Sequence, residues 1–129
     1  MKRDLSQDLQ QIQTHLGNGR FTAGISLCRE VLTYAPSDPN ALYLLGLGAA
    51  QLGDATTTRE AFYAAWQITP ERVDLLINFG NFLRETGETL KALPLLEKAS
   101  VLSPQLPGVW KALALTQFKL NRFEAALVS

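Results

Sequence analysis

The chain has 129 residues, of which 47% are hydrophobic, so it is long enough to bury a real core and is not compositionally disordered. Its 12 basic and 12 acidic side chains balance, which removes any net-charge reason to bind nucleic acid or an anionic membrane. The one cysteine, Cys28, cannot form an internal disulfide and has no partner at metal-ligand spacing.

The N-terminus does not have the pattern of a targeting segment. Residues 1–3 resemble the basic start of a signal peptide, but Asp4 and Asp8 lie where its apolar run should follow. The longest apolar run, 41–50, is about half the length of a membrane-spanning helix. We therefore expect a soluble, cytoplasmic protein.

Two residue types mark a period along the chain. Prolines recur 34 residues apart, at Pro36, Pro70 and Pro104. Glycines keep the same period, and an asparagine takes the last position: Gly19, Gly53, Gly87 and Asn121. Between these markers, apolar residues recur at the three- and four-residue spacing of a helix. Each unit is therefore predicted to be two antiparallel helices, with a left-handed residue ending the first and proline ending the second.

The first unit, about 5–38, is the least regular. Asp8, Gln11, Ile12 and His15 replace the usual large and small residues of the first helix, whereas Phe21 and Val31 restore the pattern in the second half. We interpret His15 and Cys28 as packing residues rather than catalytic ones, because general-base chemistry needs a partner group as well.

The second and third units, 39–72 and 73–106, have the regular apolar spacing. Asp38 and Asp54 lie where N-caps of helices are expected, not as a catalytic carboxylate pair. Pro94 lies about five residues into the second helix of the third unit. Since its ring crowds the carbonyl of Leu90, at a cost of roughly 3 kcal/mol, we expect this helix to kink or to begin late.

The fourth unit, 107–129, is incomplete. It contains Trp110 and Leu113, and its second helix is interrupted at Ser129 with Phe123 and Leu127 near the end. This pattern predicts an N-terminal piece of a longer protein. Uncovered apolar side chains also predict self-association through the C-terminal hairpin.

The repeated pattern resembles the tetratricopeptide repeat over essentially the whole chain. The second unit carries the motif as Leu42, Leu45, Gly46, Ala49, Thr58, Phe62, Ala65 and Pro70. The third unit carries it as Leu76, Phe79, Gly80, Leu83, Ala92, Leu96, Ala99 and Pro104. The resemblance implies an all-α fold, a right-handed superhelix of antiparallel helix hairpins. Gly46 and Gly80 would lie where the two helices of a hairpin cross most closely.

Members of this family line a concave groove with the first helix of each hairpin and bind peptides or partner helices there. Carried over by position, the groove would contain Tyr43, Leu47, Ile77, Asn78, Asn81, Arg84 and Lys111, with Leu115, Phe118 and Lys119 further along the fourth unit. Asn78 and Asn81 are the strongest candidates, because an amide both donates to and accepts from a peptide backbone. Solvated surface residues are the alternative for this pair.

Some family members bind C-terminal carboxylates with a clamp that needs Lys and Arg beside the asparagines. The corresponding positions here hold Tyr43, Leu47, Gly108 and Ala112, so a chaperone-tail receptor is not favoured. The chain has no phosphate-binding loop, metal-ligand cluster or nucleophile motif, and we expect no cofactor and no catalytic residue.

Two classes of function stay open. The first is a scaffold that binds a peptide or a partner protein of unidentified sequence. The second is the non-catalytic N-terminal arm of a larger enzyme whose transferase or oxygenase domain follows Ser129. The sequence downstream of Ser129 would distinguish them, and an enzyme complete in itself is the least favoured reading.

Overall fold

Seven α-helices account for nearly all of the described chain. The computed structural model describes residues 3–128, with side chains at 3–122 and 124, and no strand occurs within that range. The helices are α1 (Leu5–Gly17), α2 (Phe21–Tyr34), α3 (Pro39–Gln51), α4 (Ala55–Ile68), α5 (Val73–Glu85), α6 (Thr89–Leu102) and α7 (Pro107–Val128). The all-α prediction is confirmed.

Aspartates begin three of these helices. Asp4, Asp38 and Asp54 each accept a hydrogen bond from the backbone N–H three residues later, at 3.2, 2.8 and 3.1 Å. Each such cap satisfies a backbone donor that the helix cannot, and contributes about 1 kcal/mol. Pro39 follows Asp38 as the first helical residue, where its missing N–H costs nothing. The prediction that Asp38 and Asp54 are caps is confirmed.

Glycines in the left-handed conformation end the first helix of each hairpin. Gly19, Gly53 and Gly87 have φ angles of 76°, 75° and 92°. The fourth turn, predicted at Asn121, is wrong, because α7 continues through this residue to Val128. A left-handed asparagine costs about 1 kcal/mol or more, whereas asparagine inside a helix costs only a fraction of that. The helix therefore continues where glycine would have ended it.

Pro94 lies inside α6, which begins at Thr89. The prediction of a late start is therefore wrong. Pro94 is on the exposed side of the helix, and Leu90, whose carbonyl loses its partner, has 77% of its surface exposed. Because both residues lie on the solvent side of α6, the proline ring displaces no core side chain.

One compact unit comprises residues 1–69 and contains α1 to α4. Within it α1 packs on α2 and α3, and α4 packs on α3. The core of these helices is apolar throughout: Ile12, Cys28, Val31, Ala41, Leu44, Leu45 and Ala61. Cys28 is fully buried, which raises the pKa of its thiol to about 12, so the interpretation as a packing residue is confirmed.

A close helix crossing joins α3 to α4. The ring of Phe62, 1% exposed, lies directly against the backbone of Gly46, where an added Cβ would overlap it. Tyr43, one turn earlier on α3, stacks on the same ring, with centroids 6.0 Å apart and planes 30° apart. Glycine at 46 therefore gives Phe62 its space, as the family resemblance implied.

The second compact unit comprises residues 70–129 and contains α5, α6 and α7. In this unit α6 packs on α5 and α7, and α5 also contacts α7. Its close crossing lies at Gly80, where an added Cβ would be 2.7 Å from Leu96 Cγ. The buried side chains around this crossing come from all three helices: Leu75, Leu76, Phe79, Leu83, Leu96, Ala99, Val109 and Ala112.

A polar cluster joins the two helices of the first hairpin; we call it the N-terminal clasp (Arg3, Asp8, Glu30 and Tyr34). The Tyr34 hydroxyl donates to Asp8 Oδ2 at 2.6 Å, and Arg3 Nε donates to the same oxygen at 3.1 Å. The Arg3 guanidinium also lies 5.5 Å from the centre of the Tyr34 ring and 3.3 Å from Glu30 Oε2. Asp8 thus serves α1 as an anchor to α2 where other units use an apolar residue.

The first prediction tests the close crossing at Gly80. We expect Gly80→Leu to lower the free energy of unfolding by about 1–3 kcal/mol, because the side chain must displace Leu96 from a packed core. Gly87→Ala should cost about 1 kcal/mol, since only its left-handed backbone is strained. Urea unfolding followed by circular dichroism measures both.

Gly108→Ala is the matched control, because an added Cβ there meets no atom within 4 Å and its φ is not positive. It should leave stability unchanged or raise it slightly. The double variant Gly80→Leu with Leu96→Ala should lose less free energy of unfolding than the two single variants lose together. The truncation of Leu96 opens the space that the new leucine needs. Equal effects at Gly80 and Gly108 would contradict the crossing.

The second prediction concerns the pH dependence of the N-terminal clasp. The Tyr34 hydroxyl, with Arg3, lowers the pKa of Asp8, so its stabilisation is present above about pH 4 and is lost as pH falls further. The same bond raises the pKa of Tyr34. The stability that the protonated Tyr34 hydroxyl contributes is therefore present below about pH 10 and lost above it.

Tyr34→Phe should therefore lower the urea midpoint at pH 7 and make the loss of stability between about pH 5 and 2 shallower. Tyr63→Phe is the control, because the Tyr63 ring is half exposed on α4 and lies against Trp66. A Tyr34→Phe variant whose acid unfolding matches that of the parent would show that the clasp does not stabilise the hairpin.

Candidate functional site

The predicted groove residues of the second repeat, Tyr43 and Leu47, both lie on α3. Tyr43 is 6% exposed and stacks on Phe62, so it belongs to the core and offers almost no surface to a ligand. Its assignment as a binding residue stays a prediction, and its observed contact is with the ring beside the close helix crossing. Leu47 is half-buried and packs against the apolar core of its unit.

In the third repeat, four predicted residues lie along one face of α5. Asn78, Asn81 and Arg84 follow at three-residue spacing, Ile77 lies four residues before Asn81, and all four are half-buried. The structure therefore brings the polar candidates together on one helix. Half-burial leaves part of each side chain accessible while the packed part restricts its rotamers.

A hydrogen bond fixes the end of this face. Arg84 Nη1 donates to Asn81 Oδ1 at 2.8 Å, and the Arg84 side chain is 13% exposed. Because this bond engages only the amide oxygen of Asn81, the two amide N–H donors are not used by Arg84. The sequence placed both residues on one face but did not predict that one would orient the other.

Lys119 joins this face from α7. Its Nζ donates to the backbone oxygen of Arg84 at 2.7 Å, in the last turn of α5. A cation at the carboxyl end of a helix is favoured, because the final carbonyls have no partner within the helix. Arg84 Nη2 is also 3.8 Å from Glu85 Oε1, which offsets part of the local positive charge.

Lys111, the last predicted groove residue, is exposed in the first half of α7. Leu115 and Phe118 are exposed further along the same helix, as is Arg122. Arg122 was not among the predicted residues. Its spacing of four from Phe118 is the signal that could have added it to the same helix face.

A second concave surface was not predicted from the sequence. A cavity of about 760 Å³ lies between the start of α6 and the second half of α7. Its walls are mainly apolar, with two carboxylates and one ammonium at the rim: Leu90, Leu93, Leu120, Glu88, Lys91 and Glu124. Leu90 is an apolar residue outside the three- and four-residue apolar spacing of α6, and this is the signal in the sequence that could have indicated the surface.

His15 is half-buried in the last turn of α1, and its Nδ1 has no hydrogen-bond partner among the described atoms. A search of the described residues finds no group of His, Cys, Asp and Glu that could hold a metal ion. Likewise, none of the helices described has the length and apolar character to cross a membrane.

The predicted self-association surface lies partly outside what can be described. Phe123 and Leu127 are beyond the described side chains. Trp110 is 52% exposed, and its indole N–H donates to the Pro104 carbonyl at 2.6 Å. Leu113 is buried, so it offers no surface for association.

Two comparisons with solved structures bear on the fold. The crystal structure of MamA matches with a TM-score of 0.82 at 19% identity, over 95% of this chain and 68% of that one. The Thermobaculum terrenum O-GlcNAc transferase matches with a TM-score of 0.76 at 22% identity, over 90% of this chain and 23% of that one. Together with the seven helices, these likenesses show an α-solenoid fold.

Sequence comparison identifies the family. TPR repeat-containing protein YpiA of Bacillus subtilis (strain 168) is 34% identical over 74 residues, which are 57% of this chain and 18% of that protein. The chain thus matches less than a fifth of this relative's length. The sequence pattern of the tetratricopeptide repeat matches residues 9–73, half of the chain. The chain therefore belongs to the tetratricopeptide repeat family.

Proposed function

We propose that the chain is a non-catalytic protein-interaction scaffold that binds a polypeptide along the exposed faces of the first helices of its hairpins, above all that of α5. The observation that carries the proposal is the polar face of α5, where Arg84 donates to Asn81 at 2.8 Å. Family membership supports the general role, and this face supplies the chemistry for a polypeptide ligand.

The α5 face suits a peptide backbone better than a small metabolite. Asn81 is held by Arg84 and lies one turn from Asn78, so two amides follow each other along the helix about 5 Å apart. Amide side chains bond to carbonyl and N–H groups alike, and backbone groups are the feature that every peptide shares. Half-buried Ile77 on the same face would contact the ligand's apolar side chains.

The third prediction tests this face. A peptide selected from a displayed random library should lose roughly tenfold in affinity when Asn78 and Asn81 are both changed to alanine. This is the size expected for two neutral hydrogen bonds of about 0.5–1.5 kcal/mol each. Fluorescence anisotropy with the labelled peptide measures the dissociation constant.

Gln67→Ala is the matched control, because Gln67 is an exposed amide on α4. It should leave the dissociation constant unchanged. Circular dichroism of each variant confirms that the helices are intact. Unchanged affinity in the Asn78 and Asn81 double variant would place the ligand elsewhere, and a library that yields no binder at all would count against the scaffold role.

An enzyme arm is the second candidate function. The O-GlcNAc transferase contains a segment of this fold within a much longer chain, because the match covers 23% of it. In such a protein the repeats would hold the substrate polypeptide for a separate catalytic domain. The coding sequence downstream of residue 129 decides between the two, since only the second requires a catalytic domain there.

Self-association through the C-terminal segment stays a prediction, the fourth. Changing Phe123 and Leu127 to polar residues should give a monomer at concentrations where the parent chain associates, because it removes two apolar side chains from the proposed contact. Light scattering over a concentration series measures this. A parent chain that is monomeric throughout that series would contradict the prediction.

A further inference from the structure

The exposed side of α7 carries four residues in a single row, which we call the α7 stripe: Lys111, Leu115, Phe118 and Arg122. Their spacings of four, three and four residues place them within about 60° of one another around the helix and over about 16 Å of its length. Leu115 is 43% exposed and Phe118 is 60% exposed. The stripe therefore has two apolar residues at its centre and a cation at each end.

The two terminal cations lack an acidic partner within the described part of the chain. No described carboxylate lies within ion-pair distance of Lys111 or Arg122, whereas the neighbouring Arg84 has Glu85 and Asn81. The only acidic residue of α7, Glu124, projects from the opposite side of the helix from Lys111 at 100° per residue. The Arg122 guanidinium lies 5.7 Å from the centre of the Phe118 ring, which joins charge and apolar surface.

The side of α7 opposite the stripe is committed to the core of its unit. Val109, Ala112 and Thr116 are buried, and the Thr116 hydroxyl donates to the Ala112 carbonyl at 2.8 Å. Lys119, on the flank of the stripe, is bonded to the end of α5. The helix is thus held in place from behind and at its side, and the stripe is a fixed surface rather than a helix that must fold on binding.

We propose that the α7 stripe binds an amphipathic helix whose face carries a carboxylate, two apolar residues and a second carboxylate at spacings of four, three and four. This rests on the proposed scaffold role and adds the chemistry of the partner. Charge complementarity selects acidic ends, and Leu115 and Phe118 select an apolar centre. The spacing reads the same in both directions, so a partner helix fits parallel or antiparallel to α7.

A protein ligand fits these observations better than an anionic membrane or a nucleic acid. Two cations on one stripe are few for a surface that binds through phosphate contacts, and the whole chain has no net charge. An interfacial membrane helix inserts a broad apolar face, whereas Val109, Ala112 and Leu113 of α7 are buried in its own unit and the stripe has a cation at each end. The experiment below includes both alternatives as outcomes.

The fifth prediction uses a designed probe, an amidated alanine–glutamine helix with Glu, Leu, Leu and Glu at spacings of four, three and four residues. Labelled at its N-terminus, it should bind the parent chain by fluorescence anisotropy, and its affinity should weaken as salt rises. A second probe with Lys in place of both Glu should bind at least about tenfold more weakly, because like charges then face each other.

Charge reversal supplies the decisive comparison. Lys111→Glu combined with Arg122→Glu should weaken the Glu probe by about tenfold or more and strengthen the Lys probe by a similar factor. Phe118→Ala should weaken both probes. Lys98→Glu is the control, since Lys98 is exposed on α6, away from the stripe, and should change neither. The exchange of preference cannot arise from a folding defect, which would weaken both probes.

Three results would overturn the proposal. The first is equal binding of the two probes. The second is a Glu probe whose affinity does not change with the charge reversal but falls in the double variant Asn78→Ala with Asn81→Ala. That result would keep the scaffold role and remove the stripe as its binding surface. The third is no probe binding together with stripe-dependent binding to phosphatidylserine vesicles or single-stranded DNA, which would make the stripe a lipid or nucleic-acid surface.

Discussion

The close approach of the two helices in each hairpin is the constraint on which the structure depends. At Gly46 the ring of Phe62 occupies the space where a side chain would lie, and at Gly80 Leu96 does the same. These contacts let a helix pair of about 14 residues bury large side chains that one helix could not cover by itself. Replacing either glycine separates the helices, and each neighbouring side chain then loses contacts.

This constraint also determines which surfaces remain for binding. A helix that packs tightly on one side has a fixed orientation, so its opposite side presents the same residues to solvent at all times. On α5 the packed side includes Leu76 and Phe79, and Asn78 and Asn81 each come two residues after one of them. The polar face therefore depends on burial across the helix, and the bond from Arg84 to Asn81 orders it further.

Much of this fold can be predicted from the sequence because its strongest signals are local. Glycine at a left-handed turn, aspartate at an N-cap and apolar spacing each act within a few residues. The turns predicted at Gly19, Gly53 and Gly87 are accordingly present in the structure. Asn121 and Pro94 show where local rules fall short. Asn121 stays helical because α7 continues through it to Val128. Pro94 lies inside α6 at a position that faces solvent.

The candidate site is less predictable, since it depends on side-chain contacts between distant positions. The Tyr43 position suggested a groove residue, but whether a tyrosine faces a ligand or a core is decided by Phe62, nineteen residues away. Asp8 is similar, because its role needs the Tyr34 hydroxyl from the next helix. A repeat motif specifies backbone geometry, and it leaves open which partner each variable residue finds.

In the scaffold that we propose, the variable residues carry the specificity, and their chemistry differs between the helices. On α5 the accessible groups are neutral amides, which bond to any backbone and distinguish ligand sequences poorly. On α7 the accessible groups are Leu115, Phe118 and two cations that have no acidic partner among the described residues, and what they bind depends on the charge and apolarity of the ligand's side chains. A scaffold that uses both would obtain general affinity from one helix and selectivity from the other. Because selectivity is a difference between affinities, Lys111 and Arg122 matter most through the ligands that they repel.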